Sequence, residues 1–232
     1  LFHHRLGARY AQFYAGKAFV LPGGASLAWE SLCERTWIIN GVRATRTLGE
    51  AITEAREVLR PDRAGWSVVG HGDAHNGNVF FAPETPGGLV YFDPAFGGRH
   101  HPMLDLAKPL FHNVFATWMY HPHEVDAGLH LTWRDDGRTI TVDHDYRPSA
   151  CRRMFLESKR RRVVWPILQE GALISPDFDA GAWRAMLDAA ILCCPLLTMN
   201  LADRSRFPAT IGLLGLVFAA SADQLLDVSL TN

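Results

Sequence analysis

Three short runs of β-branched and aromatic residues, "WSVVG", "NVFFA" and "GLVYFD", lie between residues 66 and 93. Their composition is that of strands, and the turn-forming "PETPGG" divides the last two, so a hairpin is expected there. On both sides of this stretch the apolar residues return at helical spacing. A chain with one small β cluster set between helical stretches belongs to the α+β class.

The flanking elements can be placed with the same rules. Residues 5–16 and 26–39 carry apolar residues at helical spacing and are separated by the breaker "LPGGAS". In "TRTLGEAITEAREVLRP" the apolar positions Leu48, Ile52, Ala55 and Leu59 mark one face of an amphipathic helix that Pro61 ends. A second hairpin is expected over 129–146, where Asp136-Gly137 suits a tight turn. The remainder reads as helices near 103–120, 149–170, 178–200 and 209–228. The expected organisation over 1–232 is a single lobe: helices over 1–65, a β cluster over 66–100, and a helical remainder interrupted by the second hairpin.

Charge and cysteine usage narrow the function classes. The net charge of −1 on 232 residues gives no electrostatic basis for binding nucleic acid or an anionic membrane. Cys33 and Cys151 are isolated and Cys193-Cys194 is vicinal, so neither a disulfide framework nor a zinc knuckle is expected, and reduced thiols point to a cytoplasmic protein. The stretches "AAILCCPLLTM" and "ATIGLLGLVFAAS" are too short to span a bilayer and read as buried helices. No signal-peptide pattern opens the chain.

Polar chemistry concentrates on the β cluster. In "GHGDAHNGNVFF", residues 70–81, Asp73 follows one strand and Asn78 begins the next, while Asp93 ends the strand "LVYF". A hairpin turning at 83–88 sets Asn78 beside Asp93, a pair of hard oxygen donors suited to magnesium. Asp73, on the preceding loop, can accept a proton from a substrate hydroxyl. A base and a metal are the minimal equipment for phosphoryl transfer.

The segment "HGDAHNGN" resembles the H-G-D-x-H-x-x-N loop of the aminoglycoside phosphotransferase and choline kinase-like family, whose fold is protein-kinase-like. "FDPAFGGRHHPMLDLA" resembles the metal-aspartate segment of that family and its P-x-x-D-L-A helix start. The resemblance covers roughly residues 66–108. It implies Asp73 as catalytic base, Asn78 and Asp93 as ligands of Mg2+ on the phosphates of ATP, His71 and Asp105 as supports of the loop, and a lesser positioning role for His75. It further implies transfer of the γ-phosphoryl group to a small-molecule hydroxyl. The family's nucleotide-clamping lobe has no counterpart in the sequence pattern: no G-x-G-x-x-G occurs, and Lys17 is the only lysine before Asp73. The expectation is therefore a catalytic lobe without its nucleotide-clamping lobe, part of a longer kinase.

Other readings compete. A kinase-like binding or scaffold module that has lost catalysis would keep the same residues. A two-metal phosphoesterase is ranked below both, since no D-x-H occurs before residue 71 and no G-N-H occurs anywhere. Taken alone, Asp73, Asn78 and Asp93 are also the residues of strand-capping turns. His100, His101, His112, His121 and His123 fit no metal-ligand spacing and are expected on loops or the surface. "ESKRRRVVW" at 157–165 is expected to be a solvated helix face rather than a phosphate grip.

Overall fold

A computed structural model describes residues 1–94 and 96–227. Among these residues the fold is mixed α+β, about half helical, with four small sheets. The helical part is organised around α9, Ala180–Leu197, in which every residue from Leu187 to Leu197 is buried. An evenly apolar helix has to be covered all round. It is packed by α1 (Phe2–Phe13), α3 (Leu48–Val58), α4 (Pro102–Val114) and α10 (Ala209–Ala220). By length and composition this 18-residue helix could cross a membrane; 61% of it is buried inside the protein, as in the core helix of a globular fold.

Local chemistry starts each of the helices that matter to the site. α3 opens on a capping box in which the Glu50 N–H donates to Thr47 Oγ1 at 3.2 Å and the Thr47 N–H donates to Glu50 Oε2 at 2.8 Å. Leu48, Ile52 and Ala55, the expected apolar face, are all buried. α4 begins with Pro102 in its first turn, and His101 Nδ1 accepts the Met103 N–H at 3.2 Å.

The expectation of helix throughout 1–65 is only half met. Residues 26–39 divide into a strand (β2, Ser26–Ala28), a short helix (α2, Trp29–Glu34) and another strand (β3, Thr36–Ile39). "LPGGAS" is the loop of a hairpin between β1 (Ala18–Val20) and β2, so strands do surround it. Its Pro22 carbonyl accepts the Trp133 indole N–H at 3.2 Å, which anchors the loop to the 129–146 hairpin.

That second hairpin forms as expected, from β9 (Leu131–Asp135) and β10 (Thr139–His144), with Gly137 at φ 87° in its turn. It is not an isolated insertion. β10 pairs in parallel with β3, which pairs with β4 (Val42–Arg43), giving a four-stranded sheet in the order β4-β3-β10-β9. Trp37 and its register partner Ile140 are both fully buried beneath this sheet.

The helices after the second hairpin hold one irregularity. α7 (Ala150–Lys159) and α8 (Trp165–Ile174) are joined by a π-helical turn over Arg160–Val164. The turn rotates Arg160 inward, while Arg161 and Arg162 stay exposed. "ESKRRRVVW" is thus only in part the solvated face expected of it.

Candidate functional site

The β cluster consists of two strand pairs. β5 (Val68–Gly70) pairs antiparallel with β8 (Gly98–His100), and β6 (Val79–Phe81) pairs antiparallel with β7 (Leu89–Tyr91). The loop 71–78 leaves β5 and enters β6, and the first turns of α4 lie against it. The expected hairpin is therefore present, with Val79 opposite Tyr91. β8 was not foreseen, because "GRH" carries no strand-forming pattern.

Glycines set how closely the loop approaches its support. A Cβ at Gly70 would stand 1.7 Å from Asp105 Oδ2 and 2.6 Å from His100 Nε2. Gly72 has φ 76°, and a Cβ there would fall 2.4 Å from the Phe96 carbonyl oxygen. The loop is thus pressed between the first turn of α4 and Phe96. Asp105 Oδ1 accepts the Gly72 N–H at 2.6 Å and lies 3.0 Å from His100 Nε2. Asp105, at the positive end of α4, fixes the loop backbone from the helix.

His71 bridges two parts of the site. Its Nδ1 accepts the Asp73 N–H at 3.2 Å, and its Nε2 lies 2.9 Å from the Phe92 carbonyl. A carbonyl only accepts, so the ring carries its proton on Nε2. One imidazole joins the residue before Asp93 to the backbone of Asp73. Both contacts of the His71 ring are to backbone groups.

Beyond Asp73 the chain makes a 3-10 turn over Asn76–Asn78. His75 caps it, its Nδ1 accepting the Gly77 N–H at 3.0 Å, while its Nε2 is 3.5 Å from Asp73 Oδ1. Burial holds the His75 ring below the usual histidine range, although Asp73 pulls it back up. The Asn76 N–H donates to Asn113 Oδ1 on α4 at 2.9 Å. Asn78 is buried, and its Nδ2 donates to the Asp73 carbonyl at 3.0 Å. That leaves Asn78 Oδ1 as the acceptor without a hydrogen bond among the described residues.

Asn78 and Asp93 come to the same end of the hairpin. The Phe92 N–H donates to the Asn78 carbonyl at 3.1 Å, which places Asp93 one residue beyond the paired strand ends. Asp93 is exposed and has φ 55°, a left-handed backbone that aspartate tolerates better than most residues. Its charge is among those acting on His75, together with Asp73, Lys108 and His71. An amide oxygen and a carboxylate are hard donors of the kind magnesium takes, an ion that accepts only one or two protein oxygens beside substrate phosphates and water. Among the described residues there is no group of three or more His, Cys, Asp and Glu side chains placed to hold a metal.

One residue at the site was missed in the sequence. Lys108, buried on α4, brings its Nζ to 2.7 Å from Asp73 Oδ1. The contact is a close ion pair whose angles fall short of an aligned hydrogen bond. Burial lowers the Lys108 pKa, and Asp73 opposes that shift. A signal was available: only three lysines occur in the chain, and this one follows Asp105 by three residues, on the same helix face. His112 was misplaced for a related reason. It sits on the buried part of α4, where its Nδ1 lies 2.9 Å from the Tyr120 hydroxyl and its ring lies against His75.

Comparison with protein-family models, with curated proteins and with solved structures finds no significant match. What the site can do therefore follows from its own geometry.

Proposed function

We propose that this chain is the catalytic lobe of an ATP- and Mg2+-dependent phosphotransferase, resembling the aminoglycoside phosphotransferase and choline kinase-like family, that phosphorylates a small-molecule hydroxyl. The observation that carries this reading is that one hairpin and the loop leading into it bring Asp73, Asn78 and Asp93 into one region. Asp73 stands on a loop pinned by His71 and Asp105, and Asn78 and Asp93 flank the joined ends of one hairpin. A strand-capping role for these residues would not require two glycines, a histidine and a helix-borne carboxylate to hold the loop.

In this mechanism Asp73 orients the acceptor hydroxyl toward the γ-phosphorus and takes its proton as the new P–O bond forms. The bond between the γ-phosphorus and the β,γ-bridging oxygen breaks, and ADP leaves with that oxygen. Asn78 Oδ1 and the Asp93 carboxylate would hold the magnesium, which when bound neutralises phosphate charge. Burial lowers the pKa of His75 and so disfavours a second charge beside the base.

The scaffold reading has one observation in its favour: the Asp73 carboxylate is already engaged by a buried lysine. Both readings are tested by calorimetric titration of the chain with Mg-ATP and by transfer of labelled γ-phosphate to amino sugars and amino alcohols. Asp73→Ala should retain the fold by circular dichroism and lose transfer by at least about 100-fold. Full turnover by that variant removes the assignment.

A further inference from the structure

We propose that Lys108 is the positioning residue of Asp73: it holds Oδ1, and thereby leaves Oδ2 as the oxygen that meets the acceptor hydroxyl. The inference rests on the phosphotransferase reading and adds a residue to it. Asp73 Oδ1 is sealed from solvent, with Lys108 Nζ at 2.7 Å and His75 Nε2 at 3.5 Å, whereas Oδ2 has no hydrogen bond among the described residues. Both neighbours lie on one oxygen, so the carboxylate is presented in a single orientation.

Lys108 cannot act on a substrate directly, because only 4% of its side chain is exposed. Its effect passes through Asp73. The helix that carries it also carries Asp105, so one face of α4 fixes the loop backbone at Gly72 and the carboxylate at Asp73. The same ammonium lies 4.8 Å from the centroid of the Phe96 ring, within cation–π range. Phe96 follows Asp93 by three residues, so Lys108 touches the base loop and the segment of the proposed magnesium ligand together. A lysine placed only for packing would leave a buried charge unpaired, which is expensive. Here the charge is used at the reacting group.

The experiment compares the full chain with Lys108→Met, Lys108→Gln and Lys108→Arg. Its first readout needs no activity: the three-bond Hα–Hβ couplings of Asp73 by NMR. A single rotamer in the wild type and in Lys108→Arg, with averaged couplings in the two neutral variants, is the expected result. Unaveraged couplings in the neutral variants overturn the inference, whatever reaction the protein performs. The second readout is transfer from labelled Mg-ATP to amino sugars and amino alcohols. Lys108→Met should lower kcat by about 100-fold, the cost of a small misplacement of a reacting group, with KM values retained and partial recovery in Lys108→Arg. A loss expressed in KM, or equal in Met and Arg, overturns it as well. Absence of any transfer by a wild type that also carries a nucleotide-clamping lobe, with couplings that behave as expected, overturns the phosphotransferase reading and leaves Lys108 as the residue that orients Asp73.

Discussion

Asp105 Oδ1 accepts the Gly72 N–H at 2.6 Å, across 33 residues of chain, and this contact determines where the Asp73 loop lies on α4. Replacing Asp105 with Ala leaves that N–H without its acceptor and His100 without its neighbour. The expected cost is about 1–3 kcal/mol in denaturant unfolding. Hydrogen exchange at Gly72 and Asp73 should accelerate more than at the amides of α9. Uniform acceleration across the chain would mean that Asp105 supports the fold as a whole and not this loop.

Gly72 offers a sharper test, because two independent constraints meet there. Its φ of 76° disfavours any side chain, and a Cβ would stand 2.4 Å from the backbone oxygen of Phe96. Gly72→Ala should cost about 2 kcal/mol or more and displace the Phe96 backbone. On the proposed phosphotransferase reading, magnesium-dependent ATP binding should weaken with it, since Asp93 lies three residues before Phe96. Gly65, whose added Cβ would meet nothing within 4 Å, is the control: Gly65→Ala should leave both stability and binding nearly unchanged.

These two glycines also show what could be read in advance. The polar residues of the loop were legible because their types and spacing are dictated by chemistry, and Asp73, Asn78, Asp93, His71, His75 and Asp105 do gather in one region. The Leu48, Ile52 and Ala55 stripe was legible because helical periodicity is a local property. β3 and β4 were not read, although "TWIINGV" contains a strong turn signal: Asn40 and Gly41 both have positive φ, at 49° and 80°. An apolar run beside Trp29 and Leu32 was assigned to one long helix when the Asn-Gly pair argued for a hairpin. The parallel pairing of β3 with β10 lies about a hundred residues away in sequence, and nothing local announces it. Lys108 was passed over for a similar reason, because its partner is brought to it only by the folded loop.

The exposed face of the β6–β7 hairpin leads to a prediction of small effect. Phe81 is 78% exposed and Phe80 59% exposed, so neither stabilises the fold by burial. Phe81→Ser should change unfolding free energy by no more than about 0.5 kcal/mol. Binding of an apolar fluorescent dye should fall measurably in the same variant, since this ring is among the most exposed apolar groups described. A large loss of stability would show that the hairpin is held by Phe81 after all.

His112 gives the pH dependence a definite sign. Burial, with the charges of His75, Lys108 and Arg5 adding to it, pushes its pKa down to about 3, from an ordinary value of 6.5. The unfolded chain therefore takes up a proton between about pH 6.5 and 3 that the folded chain refuses. Stability from this group is complete above pH 6.5 and declines as the pH falls, by at most about 1.4 kcal/mol per pH unit. His101, lowered to about 4 chiefly by burial, works in the same direction. Asp188 opposes both: burial raises its pKa to about 7, so its contribution is lost as pH rises toward that value. Comparison with a variant isolates the histidine. His112→Gln keeps a polar group near Tyr120 and removes the titration, so its melting temperature should fall less between pH 7 and pH 5 than that of the wild type. Parallel pH profiles for the two proteins would show that His112 is protonated in the folded chain, and that its ring is not sealed between His75 and Tyr120.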